Sequence, residues 1–293
     1  MPHEILTPDK TPQVSKPAAS SKTKSSFKDF FARLYRFLKA FKSQPREAFE
    51  FLNALPAAVR GSAFSKSPSF APPQKASASG APADFNPLKA HFDSHTQGWT
   101  IYKWMHYFDI YDRHFRKFAG REAHILEVGI WRGGSLEMWR NYFGPKARIY
   151  GIDIDERCGA ANDYGYTAFI GDQGDPRFWE SVREKVPQVD VLIDDGSHKA
   201  KDQIVTLEAM LAHLAPGGVY LCEDIHRTEQ EFLSYAQGLV KGLYAFDGSV
   251  DDGVRPSAFQ KWIKAVHFYP YVLVIEKAEK PEEAFTAERH GTE

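Results

Sequence analysis

The chain has 293 residues, enough for one fully cored domain and a sizeable appendage but not for two large domains. Its composition, 43% hydrophobic and 26% charged, is that of a globular protein, and a formal net charge of -1 gives no global attraction for nucleic acid. Cys158 and Cys222 are too far apart for a local metal or redox pair, which fits a reducing compartment. No apolar run approaches the roughly 18 residues of a membrane span. The amino terminus carries Pro2, Pro8, Pro12 and Pro17 instead of a signal-peptide core, so a cytoplasmic location is expected.

In chain order, residues 1–24 are polar and proline-bearing and read as a disordered leader. Residues 25–60 form a basic, amphipathic helical segment. Within it Phe27, Phe30, Phe31, Leu34, Phe37, Leu38 and Phe41 recur at helical steps, and Lys28, Arg33, Arg36, Lys39 and Lys42 face the single acid Asp29. A second, shorter helix is expected over 47–59. Residues 61–85 return to Ser, Pro, Ala and Gly and read as a linker, which leaves the helix over 27–42 mobile relative to the main domain. Its aromatic face suits docking on the main domain or a second subunit in a homo-oligomer, and its basic face suits peripheral contact with an anionic membrane.

The main domain is expected over 86–278, with a tail over 279–293. The aromatic stretch 96–118 predicts one or more helices leading into the core. Strands are expected over 124–128, 148–154, 166–170, 189–193 and 218–222, with helices over 135–142, 176–185 and 201–214. Short apolar runs alternating with helices indicate a parallel sheet covered on both faces. Segments 262–268 and 271–275 flank a turn short enough to make them antiparallel, giving a mixed edge.

Two groups of residues carry chemistry. The first strand ends in Glu127-Val128-Gly129 and the next helix opens at Gly133-Gly134, where glycines permit a tight turn and close backbone approach to a ligand. Trp131 stands where a dinucleotide fingerprint would need glycine. Asp153 ends the second strand, where a carboxylate can accept ribose hydroxyls, and Asp172 follows the third, where it can receive an adenine amino group. Glu127, Asp153 and Asp172 together suit a nucleoside-bearing cofactor. Downstream, one buried strand ends in Asp194-Asp195-Gly196-Ser197-His198 and the next in Glu223-Asp224. If these strands are neighbours, both acidic groups emerge at the carboxyl edge where open α/β sheets bind ligands. Carboxylates gathered there repel one another unless a cation compensates them, and oxygen ligands suit a hard ion such as magnesium. An ion of that kind stabilises a substrate alkoxide, and His198 can take the proton. His226 can face the same pocket, Trp99, Tyr102 and His106 can line a lid, and the segment 247–256 is expected to border the pocket as a loop.

On these motifs residues 91–276 resemble a class I S-adenosylmethionine-dependent methyltransferase, and most nearly the metal-dependent sugar O-methyltransferases of the macrocin and mycinamicin type. The resemblance rests on Ile193-Asp-Asp-Gly-Ser-His198, on the Glu223-Asp224 pair and on Glu127-Val-Gly-Ile-Trp-Arg-Gly-Gly134. It implies a Rossmann-like seven-stranded mixed sheet of order 3-2-1-4-5-7-6 with helices on both faces. It also implies Asp195, Glu223 and Asp224 as ligands of Mg2+ or another divalent cation, and His198 as general base. Glu127, Gly129, Gly133, Asp153 and Asp172 would bind S-adenosylmethionine, and Asp194 would be supporting structure. The acceptor would be a small hydroxylated molecule or a sugar. Well-characterised relatives carry a large amino-terminal domain for substrate and assembly contacts where this chain offers a linker and a basic helix, so sugar identity does not carry over. Two other readings stay open: a metal-independent methyltransferase with His198 acting alone, and a non-catalytic nucleoside-binding scaffold recruited by the amino-terminal helix.

Overall fold

The computed structural model describes residues 27–66, 85–226, 230–244, 256–288 and 290–291. The leader 1–24, most of the linker 61–85 and the expected loop 247–256, apart from Pro256, lie outside the described residues. The chain divides into two compact units, one spanning 9–83 and the other containing 84–293. The smaller unit is a helical pair, α1 (Phe27–Ser43) and α2 (Pro45–Phe64). Pro45 holds the preceding Gln44 out of helical geometry, which breaks the two helices apart. Phe41 and Phe49 meet edge-on across the break, with ring centroids 4.4 Å apart. The second helix is longer than expected and runs three residues past Gly61, because Ser62, Ala63 and Phe64 all tolerate helical geometry. Phe31, Tyr35, Phe37 and Leu38 remain exposed on α1. No helix among the described residues is long and apolar enough to cross a membrane.

The larger unit opens with α3 (Pro87–Ser94), capped by the Asn86 side chain, which accepts from Lys89 N. It continues with α4 (Tyr107–Phe115) and a 3-10 turn over Arg116–Phe118. Residues 95–106 are irregular, so the helical expectation for 96–118 holds only for its second half. Over 95–106 the chain makes a strap that carries Lys103 into the interior. Next come β1 (His124–Val128), α5 (Gly134–Phe143), β2 (Arg148–Asp153), a 3-10 segment Glu156–Tyr164 and β3 (Thr167–Ile170). They are followed by α6 (Pro176–Lys185), β4 (Val189–Asp194), α7 (Ala200–Met210) and β5 (Leu214–Cys222). The unit closes with α8 (Gln230–Leu243), α9 (Ala258–Trp262), β6 (Ile263–Tyr269) and β7 (Val272–Lys277).

The seven strands form one sheet of order β3-β2-β1-β4-β5-β7-β6. Strands β1 to β5 pair in parallel, and β7 runs antiparallel to both β5 and β6. Alternating residues sort into two cores, as the pleat requires. Ile125, Val191, Ile193, Val219 and Leu221 pack under α4 and α5 with Tyr111, Phe115 and Trp139. Leu126, Leu192 and Tyr220 pack on the other face with Trp179, Leu207 and Phe232. β2 stops one residue early because the Asp153 carboxylate accepts the backbone N–H of both Trp131 and Asp155, turning Ile154 outward. α7 likewise stops at Met210, and Leu214 already belongs to β5. Register matters most at the centre, where Asp194 pairs with both Val128 and Cys222. The ends of β1, β4 and β5 are therefore level, and the chain segments that follow them share one edge.

Candidate active site

Along that edge runs a cleft of about 420 Å³, lined among others by Gly129, Asp153, Asp172, Asp195, His198 and Asp224. Gly129 turns the chain out of β1 with φ +86, and a Cβ there would overlap the Asp195 carbonyl oxygen. Only glycine lets the first loop and the acidic loop lie back to back. Gly133, at φ +81, precedes α5 and does not line the cleft. Gly134 has a different duty: a Cβ would overlap the Thr100 carbonyl oxygen, so the strap rests directly on the start of α5. Trp131, also left-handed at φ 43, lies at the cleft with its ring half exposed. Asp172 bonds through one oxygen to Gly174 N, 2.8 Å away.

Glu127 is fully buried and does not reach the cleft surface. One oxygen accepts from Ser135 Oγ at 2.6 Å, and the other lies 3.6 Å from Lys103 Nζ. Lys103 is the residue that sequence reasoning missed. Its ammonium donates to Asp195 Oδ2 at 2.5 Å and to Glu223 Oε2 and Oε1 at 3.0 and 3.2 Å, with only 3% of the side chain exposed. Burial opposes its charge, but Asp195, Glu223 and Glu127 outweigh that and hold the amine well above the ordinary lysine range. Tyr111, also missed, donates to Glu223 Oε1 at 2.6 Å from inside the core. Nothing local marks either residue, since one lysine and one tyrosine in an aromatic segment read as surface and core.

The other half of the acidic group looks outward. Asp224 accepts from Tyr107 Oη through Oδ1 at 2.6 Å and turns Oδ2 toward His198 Nε2, 3.8 Å away. Asp195, with Oδ2 tied to Lys103, turns Oδ1 toward the same nitrogen at 4.0 Å. These three ligand atoms lie within 4.8 Å of one another. Glu223 is absent from this trio because both its oxygens face Lys103 and Tyr111. His198 and Asp224 both have left-handed backbones, at φ 56 and 54. Such conformations cost about 1–2 kcal/mol per residue and gather at functional sites. Two carboxylate oxygens converging on an open cleft suit a hard divalent ion with water or substrate oxygens in its remaining positions.

Asp194 points away, fully buried and bonded to Gln173 Nε2 at 2.9 Å and to Tyr220 Oη at 3.1 Å. Burial lifts its pKa to about 6. The Gln173 side-chain carbonyl also accepts Ser197 N at 2.6 Å, so Asp194 and Gln173 brace the acidic loop from beneath. Of the residues considered for a lid, Tyr102 is exposed at the cleft beside Trp104, whereas Trp99 is buried against Tyr164 and Tyr166. His106 bonds to Pro270 O, and His226 is exposed with its ring 6.4 Å from that of His198; neither lines the cleft.

A level carboxyl edge, this strand order and an acid-histidine group beside a glycine turn are the arrangement expected of a class I methyltransferase domain. Comparison with known proteins agrees: residues 126–225 match a family model described as a methyltransferase domain. Demethylmacrocin O-methyltransferase of Streptomyces fradiae is 31% identical over 199 residues, covering 60% of this chain and 50% of that protein. Mycinamicin VI 2''-O-methyltransferase of Micromonospora griseorubida is 30% identical over 193 residues, covering 59% and 48%. The MycE methyltransferase of the mycinamycin biosynthetic pathway, solved with Mg, SAH and mycinamycin VI, superposes with a TM-score of 0.53 at 27% identity, covering 66% of this chain and 53% of that one. Residues 126–225 thus match a methyltransferase domain, and the chain is similar to the macrocin- and mycinamicin-type sugar O-methyltransferases. The chain spans about half the length of the curated relatives it matches.

Proposed function

We propose that the protein transfers a methyl group from S-adenosylmethionine to a hydroxyl of a small molecule, with sugars and sugar-bearing natural products as the acceptor class. The observation that carries this reading is the single cleft in which the glycine turn, the ends of β2 and β3 and the acid-histidine group share one wall. The relatives support it, since their names describe O-methyl transfer. Gly129, Asp153 and Asp172 would contact the cofactor directly. Glu127 and Gly133 would serve it indirectly, the first by anchoring Lys103 and Ser135, the second by shaping the turn into α5.

A bound divalent ion such as magnesium would lower the proton affinity of the acceptor hydroxyl. Asp195, Glu223 and Asp224 would hold it; in this structure the Glu223 carboxylate accepts from Lys103 and Tyr111. His198 Nε2 faces the space between the outward oxygens of Asp195 and Asp224 and would accept the hydroxyl proton, acting as general base. Tyr107 fixes Asp224, and alignment of acceptor and donor supplies much of the remaining rate. Transfer from labelled S-adenosylmethionine to a panel of sugars and diols, with and without chelator, tests the proposal. D195A should lower methylation at least about a hundredfold with cofactor affinity near normal. Undiminished turnover in D195A or in chelator would remove the metal and leave His198 acting alone. A contact role for residues 27–42, with a second subunit or an anionic membrane, belongs to the same proposal and is read by sedimentation velocity and vesicle co-sedimentation.

A further inference from the structure

We propose that His114, His267 and Glu276 form a cation site of their own, suited to zinc, which clamps α4 to the β6–β7 hairpin. The three residues come from separate elements, and the sheet register explains why they meet. Along β6, Ala265, His267 and Tyr269 share one face by the pleat. Glu276 on β7 pairs with Ala265 and so stands diagonal to His267. Val272 and Val274 lie on the same face of β7 as Glu276 and pack in one core with Phe115 of α4. The helix therefore covers this face, and its last turn delivers His114 to it in buried form.

The ligand atoms of the three lie within 4.8 Å of one another. His114 Nδ1 stands 2.7 Å from Glu276 Oε1, and His267 Nε2 stands 3.8 Å from the same oxygen. Two ligands of a tetrahedral zinc ion, each about 2.0–2.1 Å from the metal, are about 3.3 Å apart. Each separation thus has to change by only about half an ångström to admit the ion. His267 Nε2 carries the argument furthest. It is buried, it has no hydrogen-bond partner among the described residues, and 3.8 Å is too long for a bond to Glu276. The rest of the His267 side chain is 35% exposed, so water can reach a fourth ligand position.

The donor set selects the ion. Two imidazoles and one carboxylate suit zinc, cobalt(II) or nickel(II), whereas magnesium prefers oxygen ligands. Burial holds His114 below the ordinary histidine value, so near pH 7 it is neutral, the form that ligates. Tyr269 supplies the outer bond: its hydroxyl lies 3.0 Å from His114 Nε2 and can either donate or accept. Without an ion, His114 Nδ1–H donates to Glu276 and Nε2 accepts from Tyr269. With an ion on Nδ1, the ring proton resides on Nε2 and is donated to Tyr269, the kind of outer partner that ligating histidines have. Arg113 and Lys117 act against a cation here, but the Lys117 ammonium is held at the Gly217 carbonyl, 2.8 Å away.

Cobalt(II) titration of the full chain in excess magnesium tests the proposal, read by the strong visible absorption of a four-coordinate cobalt ion. The magnesium keeps oxygen-lined sites filled. The wild type should show the band, and zinc should bleach it by displacing the cobalt. H267A should weaken cobalt uptake at least about tenfold, and Y269F, which removes only the outer bond, by about tenfold. D195A should leave the band as it is in the wild type. A wild type without the band, a band that zinc does not displace or a band that survives in H267A overturns the proposal. Loss of the band in D195A overturns it too, since the ion would then belong to the cleft. If H267A does not fold, E276Q decides in its place, because glutamine keeps an oxygen that accepts from His114. Uptake in E276Q at least about tenfold weaker supports the site, and uptake equal to the wild type overturns it.

Discussion

At the scale of single residues, the acids and the histidine that the structure brings to this edge were legible in the sequence, and the lysine and tyrosines that brace them were not. Asp195, His198 and Asp224 follow directly on buried strands, so their placement needs only the strand pattern. Lys103, Tyr107 and Tyr111 precede the sheet and reach the centre through tertiary packing, which no local spacing reports. Their weight should nonetheless show in stability. K103M strands the buried carboxylates of Glu127 and Glu223 without a counter-charge, and breaking such a group costs about 3–5 kcal/mol. Denaturant unfolding of K103M against the wild type should show that magnitude, with part of the loss recovered in K103M/E223Q. His198 offers a cleaner chemical probe. Asparagine tolerates the left-handed backbone that His198 adopts. H198N should therefore keep its melting temperature while methylation falls about a hundredfold to ten-thousandfold.

Among the elements, helices and strands bounded by strong chemistry were readable nearly to the residue, as with α6, which begins at the Asp175 cap and Pro176. The stretch 96–118 holds one helix, α4, and is irregular over 95–106, where Lys103 and the Gly134 contact hold the segment as a strap, a tertiary demand that overrides aromatic periodicity. G134A should displace the strap, since its Cβ would overlap the Thr100 carbonyl, and lower both stability and turnover. A second tie joins α4 to the antiparallel edge. His114 bonds through Nδ1 to Glu276 Oε1 at 2.7 Å and through Nε2 to Tyr269 Oη at 3.0 Å. Burial pushes His114 below the ordinary histidine value although Glu276 pulls the other way. The unfolded chain therefore binds this proton more tightly. The contribution is complete above about pH 6.5 and is lost as the pH falls through the folded value. Melting temperature should drop on acidification from about pH 7.5 to 5.5, and the drop should be smaller in H114N.

For the whole molecule, alternating strand and helix announced a parallel sheet with an antiparallel edge, but the strand order came from resemblance, because periodicity cannot say which strands are neighbours. The helical pair 27–64 and the unit containing 84–293 are compact separately. A chain beginning at Asp84 should unfold in one cooperative calorimetric transition. Stability is also distributed unevenly with respect to chemistry. His198 combines a left-handed backbone with a buried Nδ1 that has no hydrogen-bond partner among the described residues, and both are costs that glycine would remove. H198G should melt higher than the wild type while losing turnover. Selection for heat resistance alone, with no measure of methylation, would accordingly favour variants that have erased their own base.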